Sequence, residues 1–294
     1  MPFQLSSRIY VFTALLIAVL ASGCTSNKTL TVGATAALLE DVATATSKQS
    51  DLKVVEKGMP AYLMLMDGMI EAVPNNERLL IAASQSYASY ASAFVETSDP
   101  EYALDLYKRA RHYAFAALAE RGLPHPATVP FESFERQVAA MGLKDVPYLF
   151  WSAANWGSWI SLNLDSMEAM AELPRVVVMM QRVLELDEGF HYGGPHLFMG
   201  IWYASRPKMA GGDLTLARKH FLRAMELGNQ QFLMTKIYFA EYYARKTFDK
   251  RLFVKTLEDV LESPASSIPE LTLLNTVARR RARQMLEEAD DFFD

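Results

Sequence analysis

The apolar positions of this chain recur three and four residues apart almost from end to end. Runs of alternating β-branched residues bounded by turns, the mark of strands, are missing. The clearest stretch is residues 214–227, where Ala217, Phe221 and Ala224 stand at i, i+4 and i+7 and so share one helix face. The segment before it carries Gly200 and Tyr203 on a helix of its own, and Gly211-Gly212-Asp213 between the two predicts a tight turn with Asp213 capping the second helix. The same order of small and aromatic residues recurs twice. Leu80, Ala83, Ser84 and Tyr87 are followed by Ala103, Tyr107 and Ala110, and Ala240 and Tyr243 are followed by Leu252 and Thr256. Pro60 and Leu173-Pro174 predict helix starts, residues 122–130 form a Pro-rich break, and residues 268–289 read as an amphipathic helix with a polar outer face. The pattern predicts an all-α chain.

A small residue opposite an aromatic, repeated in paired helices, is the signature of tetratricopeptide-like helical hairpins. The small residues let two antiparallel helices approach, and Tyr and Phe fill the groove to the next pair. One hairpin cannot bury its own apolar face, so neighbours must stack on it. Residues 51–294 are therefore expected to form one compact α-solenoid domain. The Tyr87-to-Ala103 interval is longer than the usual unit allows, which predicts a longer turn in that hairpin.

The N-terminus has a different character. Arg8 precedes an apolar run over residues 9–20 that is too short to span a bilayer, then Ala21-Ser22-Gly23 and the single cysteine, Cys24. This resembles a bacterial lipoprotein signal, so residues 1–23 are expected to be removed, Cys24 lipidated, and residues 24–50, rich in Thr, Ala and Ser, to act as a tether. A periplasmic, lipid-anchored protein follows, and Thr25 after the cysteine favours the outer membrane. No cysteine is then left for disulfides, so helix packing must supply the stability. Composition adds little beyond this: 51% hydrophobic, 21% charged and a net charge of −5 are ordinary for a globular chain and argue against a nucleic-acid partner. The basic run Arg279, Arg280, Arg281 and Arg283 is followed closely by acids and reads as a solvated helix face.

Candidate chemistry concentrates in two places. Trp151, Trp156 and Trp159 fall within nine residues. On a helix Trp151, Asn155 and Trp159 share a face, which suits a mostly apolar ligand whose polar group meets the amide, while Trp156 points elsewhere. The second place is YGGPHLFMG at 192–200, where Tyr192 and His196 flank a glycine pair and Trp202 follows. These seven residues, Trp151, Asn155, Trp156, Trp159, Tyr192, His196 and Trp202, are the candidate ligand-binding set. Core packing is the competing reading for each tryptophan, and a helix-start turn for the glycine pair. His191 and His196 are five apart and match no metal spacing, and the motifs of hydrolases are lacking. The sequence implies no enzyme, no metal and no cofactor.

Several segments carry a family resemblance: GMPAYLMLMDGMIEAVPNN, VPYLFWSAANWGSWISLNLDSMEAMAELPRV, VLELDEGFHYGGPHLFMGIWYASRP, ARKHFLRAMELGNQQFLMTKIYFAEYYA and LTLLNTVARRRARQMLEEADDFF. Together they resemble the T component associated with tripartite ATP-independent periplasmic (TRAP) transporters, the TatT family of periplasmic tetratricopeptide lipoproteins. The resemblance implies a transport accessory that docks the TRAP substrate-binding protein and helps to capture or pass a small organic, hydrophobic ligand. A homo-oligomer is compatible with it. The alternative from another class is an envelope-assembly scaffold holding protein partners on a regular repeat groove.

Overall fold

A computed structural model of the chain describes residues 38–39 and 41–293, so the signal segment, Cys24 and the first part of the tether lie outside the described residues. Among the described residues there is no strand. The helices are α1 (Leu52–Ala72), α2 (Glu77–Tyr90), α3 (Pro100–Glu120), α4 (Phe131–Ala140), α5 (Val146–Ser161) and α6 (Met167–Leu186), then α7 (Phe190–Ala204), α8 (Leu214–Leu227), α9 (Met234–Tyr238), α10 (Lys250–Glu262), α11 (Thr272–Glu287) and α12 (Ala289–Phe293). No helix among them is long and apolar enough to cross a membrane.

Local chemistry sets the starts. Asp51, Asn76, Asp99, Ser166, Asp213 and Asp249 each accept backbone N–H groups of the first turn that follows, which would otherwise lack partners. Two expected starts are corrected by these caps. The helices begin at Leu52 and Met167, and Pro60 and Pro174 lie inside them, each removing one backbone hydrogen bond that the flanking turns outweigh.

Consecutive helices pack as pairs: α2 with α3, α5 with α6, α7 with α8, and α10 with the end of α9 and with α11. The residues expected to glue the pairs do so. Ala83, Ser84, Tyr87, Ala103, Tyr107 and Ala110 are buried in the first hairpin, and Ala217, Phe221 and Ala224 in the third. Gly200 explains the close approach there, because a Cβ on it would lie 3.0 Å from the ring of Phe221.

Two hairpins depart from regular helix at the same place. α2 runs on into a π turn, Ala91–Val95, and α9 into another, Phe239–Ala244. Their i→i−5 bonds are Glu96 N–H to the Ala91 carbonyl at 2.9 Å and Arg245 N–H to the Ala240 carbonyl at 3.1 Å. In the first hairpin the helix thus continues to Val95 and only Glu96–Asp99 lead to α3, so the long Tyr87-to-Ala103 interval is helix and not the longer turn expected.

The stack of helices curls until its ends meet. α11 touches α1, Lys48 pairs with Glu270 at 3.2 Å, and the Arg280 guanidinium donates to the Ala93 carbonyl of the first π turn. This corrects the reading of the arginine run as a solvated face. Arg280 and Arg281 both serve the closure, the Nε of Arg279 is buried, and Arg283 alone of the four is fully exposed.

Candidate functional site

The tryptophan helix α5 sorts its own members. Trp156 is wholly buried, donates its indole N–H to Glu172 Oε2 at 2.7 Å and meets the edge of Phe115 at 4.8 Å between centroids. Asn155 is 2% exposed and spends its amide on Ser84 Oγ at 2.5 Å, tying α5 to α2. Trp159 is half-buried beneath Arg111, whose guanidinium lies 3.8 Å from the ring centroid and pairs with Glu172 at 2.9 Å. Trp151 is half-buried at the other end of the helix, about 12 Å away by helical rise. The two indoles share a helix face, as expected, but α2 closes over Asn155 between them. The structure does not bring the three together as one open wall.

Trp151 instead faces the kinked start of α7. There His191, Tyr192 and Gly193 take φ of 48°, 59° and 78°, three left-handed residues in succession. Such geometry costs roughly 1–2 kcal/mol for each side-chain-bearing residue and persists only where the surroundings enforce it. Packing enforces it here. A Cβ on Gly193 would come within 2.9 Å of the Ala224 Cα, so glycine alone fits against α8.

The turn seats the imidazole of His191 among aromatic rings: Trp151 at 4.9 Å, Phe232 at 5.6 Å, and Phe150 and Tyr192 at 5.7 Å each, with Phe190 behind Phe150 at 5.1 Å. Burial pushes its pKa down to about 4, so the ring is neutral at pH 7 with one N–H donor and one acceptor. Among the described residues neither ring nitrogen has a hydrogen-bond partner, and the side chain retains accessible surface. The result is an apolar basket with one imidazole donor and one acceptor at its base.

His196 is differently employed. Its Nδ1 lies 2.9 Å from His220 Nδ1 and its Nε2 2.9 Å from Glu188 Oε2, and Arg223 grips the same carboxylate. Arg223 first, then His196, holds the Glu188 carboxyl down at about 2. Trp202 lies under Arg206, 3.3 Å from guanidinium to centroid, and Tyr192 completes the basket.

A second enclosed cluster forms where the two π turns meet. Glu96 accepts from the buried Tyr107 hydroxyl at 2.6 Å, Arg281 pairs with Glu241 at 3.3 Å, and the Arg281 guanidinium lies 5.5 Å from the Tyr238 ring centroid. Burial raises the pKa of Glu241 and of Tyr238, Tyr242 and Tyr107, and the Glu96 charge adds to each. Burial alone would weaken the charge on Arg281, but Tyr238, Glu241 and Glu96 together outweigh it and raise its pKa. Glu96, Tyr238, Glu241, Tyr242 and Arg281 all keep accessible surface despite this enclosure. They line a polar recess between the chain's two ends.

Sequence reasoning set aside His191, since its spacing to His196 suited no metal, and it missed the recess. No advance sign of the recess stood in the sequence, since residues from opposite ends of a chain carry no mutual signal there. Among the described residues no group of three metal-ligating side chains comes together.

The comparisons with known proteins agree with this architecture. A family model described as "TRAP transporter T-component" matches residues 48–293, which spans both sites and every helix named above. A protein of Treponema pallidum (strain Nichols), itself described as an uncharacterized protein, is 22% identical over 265 residues, covering 84% of this chain and 82% of that one. The family match takes in well over half of the chain, and the chain belongs to the TRAP transporter T-component family.

Proposed function

We propose that this accessory component of a TRAP transporter docks the transporter's substrate-binding protein and receives from it a small, mostly apolar organic ligand at the His191 basket. The observation that carries the reading is the neutral, unpartnered imidazole of His191 walled by aromatic rings. Rings supply contact area, and one donor and one acceptor beside them orient a ligand carrying a single hydroxyl, amide or carbonyl. A left-handed triplet held against the fold's preference is the kind of strain that accompanies a built site. The polar recess at the π turns gives the same ligand a second, charged station. Cys24 anchors the protein to the periplasmic face of a membrane, the outer membrane in this reading, with the tether giving it reach.

Native mass spectrometry of the protein mixed with its substrate-binding protein tests the proposal. The expected result is a complex carrying a bound small molecule, which is lost in Trp151→Ala and in His191→Phe while the complex persists. Retention of the small molecule in both variants overturns the site, and absence of any complex overturns the docking role.

A further inference from the structure

Where the residues just before α1 meet the link from α10 to α11, they enclose a hollow of about 520 Å³. It shares no residue with the His191 basket or with the polar recess. Lys48 and Ser50 line it from one side, Ser266 from the link, and Thr272 and Arg279 from α11. Among the described residues no carboxylate lines it, and the nearby Glu270 is taken up by Lys48 at 3.2 Å. Buried Asn275 fixes the wall. Its amide donates to the Ala265 carbonyl at 3.1 Å and to the Gln231 carbonyl at 2.9 Å, while its own carbonyl accepts the Leu233 N–H at 3.0 Å.

Arg279 is the group that the fold leaves unexplained. Its Nε is buried with no hydrogen-bond partner, and among the described residues no carboxylate pairs with its guanidinium. Its neighbours differ: Arg281 pairs with Glu241, and Arg280 donates to the Ala93 carbonyl. Thr272 is only 6% exposed, yet its hydroxyl also has no partner among the described residues. The hydroxyls of Ser50 and Ser266 are open in the same way. By contrast Ser263, Ser267 and Thr276, close by in the chain, all spend theirs on backbone carbonyls. Enclosed polar groups without partners are costly, and a cluster of them around one hollow marks the place of something they bind.

We propose that this hollow is a binding site for a phosphate group borne by a polar organic molecule. The guanidinium selects an anion, because the fold supplies it with no counter-charge. The number of donors selects phosphate over carboxylate. With Nε closed off, Arg279 still offers about four N–H donors, and the three hydroxyls add one each, whereas a carboxylate has only about four acceptor sites. A phosphate brings three strongly accepting oxygens. The volume falls within the roughly 300–1,000 Å³ of small-molecule sites, so an organic group fits beside the phosphate. A soluble phosphate ester and the headgroup of an anionic lipid both present this chemistry.

Two probes test the site on the full chain and separate the sources. Calorimetric titration compares glycerol 3-phosphate with acetate, and flotation compares vesicles containing phosphatidic acid with vesicles of a phosphate-free galactolipid. A response to the first pair assigns a soluble ester, and a response to the second pair alone assigns a lipid headgroup. For the soluble ester the expected Kd is below about 1 mM, with acetate at least about tenfold weaker. Arg279→Gln should weaken phosphate binding at least about tenfold, while Arg218→Gln, an exposed cation on α8, should leave it unchanged. Saturating glycerol 3-phosphate should then raise the Tm of the native chain and not that of Arg279→Gln. Ser50→Ala combined with Ser266→Ala changes two exposed residues outside the core and should weaken binding about threefold or more. It keeps the test decisive where Arg279→Gln folds poorly. No preference for either phosphate probe over its phosphate-free counterpart overturns the proposal, and so does binding that both sets of substitutions leave unchanged.

Discussion

At the scale of single residues, two tryptophans five positions apart have opposite consequences. Trp156 has no exposed surface, and its N–H is one of two donors held by the Glu172 carboxylate. Trp156→Ala is therefore expected to cost roughly 3–5 kcal/mol in chemical denaturation. Trp151 keeps part of its surface and packs edge-on to His191, so Trp151→Ala should lose less than half as much stability while losing the bound small molecule. His191 gives a pH signature. Its folded pKa, about 4, lies below the ordinary histidine value of 6.5, so between these limits the unfolded chain binds a proton that the folded chain refuses. Stability then falls as pH drops from about 6.5 towards 4, by at most about 3 kcal/mol from this group. Urea titrations across that window should show the slope reduced by one proton in His191→Phe. An unchanged slope would mean that the ring charges freely in the fold.

At the scale of elements, periodicity made the hairpins legible because each depends on neighbours a few residues apart. Ala217, Phe221 and Ala224, and Leu80 through Tyr87, occupy the buried faces that their spacing implied. Prolines misled at α1 and α6, where a proline reads as a start although a stronger cap stands nine and eight residues before it. What spacing did not disclose was departure from regular helix. The left-handed turn at residues 191–193 lies against α8, and the π turn after Tyr90 meets Arg280 of α11, contacts that no local pattern encodes. The seven candidate residues show the same division. The sequence marked Trp151 and Tyr192 as aromatic, but it could not tell that the basket's base would be His191, since that depends on the backbone reversing its hand. Gly193→Ala isolates this element. With φ at 78° and a Cβ 2.9 Å from Ala224 Cα, the substitution should cost at least about 2 kcal/mol and shift the aromatic circular dichroism of the basket. A fully stable Gly193→Ala protein would show that the turn is not enforced by α8.

At the scale of the whole molecule, the solenoid is closed by a contact between residues 187 positions apart, from Ala93 to Arg280. Beside it Arg281 and Glu241 form a pair with only 19% and 28% of their side chains exposed. Such a pair carries a desolvation cost that its own attraction offsets only in part, so removing one partner is worse than removing both. Glu241→Gln is expected to destabilise by about 3 kcal/mol, because the Arg281 charge is left enclosed with a neutral neighbour. Glu241→Met combined with Arg281→Met should restore much of that loss, giving a coupling energy of about 1–3 kcal/mol in a double-mutant cycle. Hydrogen exchange locates the effect. If the pair fastens the two ends, Glu241→Gln should lower amide protection in α2 and α11 together while α5 and α6 keep theirs, since those helices have their own buried core around Trp156 and Met179. Loss of protection confined to α11 would mean that the pair stabilises only the last hairpin, and the polar recess between the π turns would then lack a fastened wall.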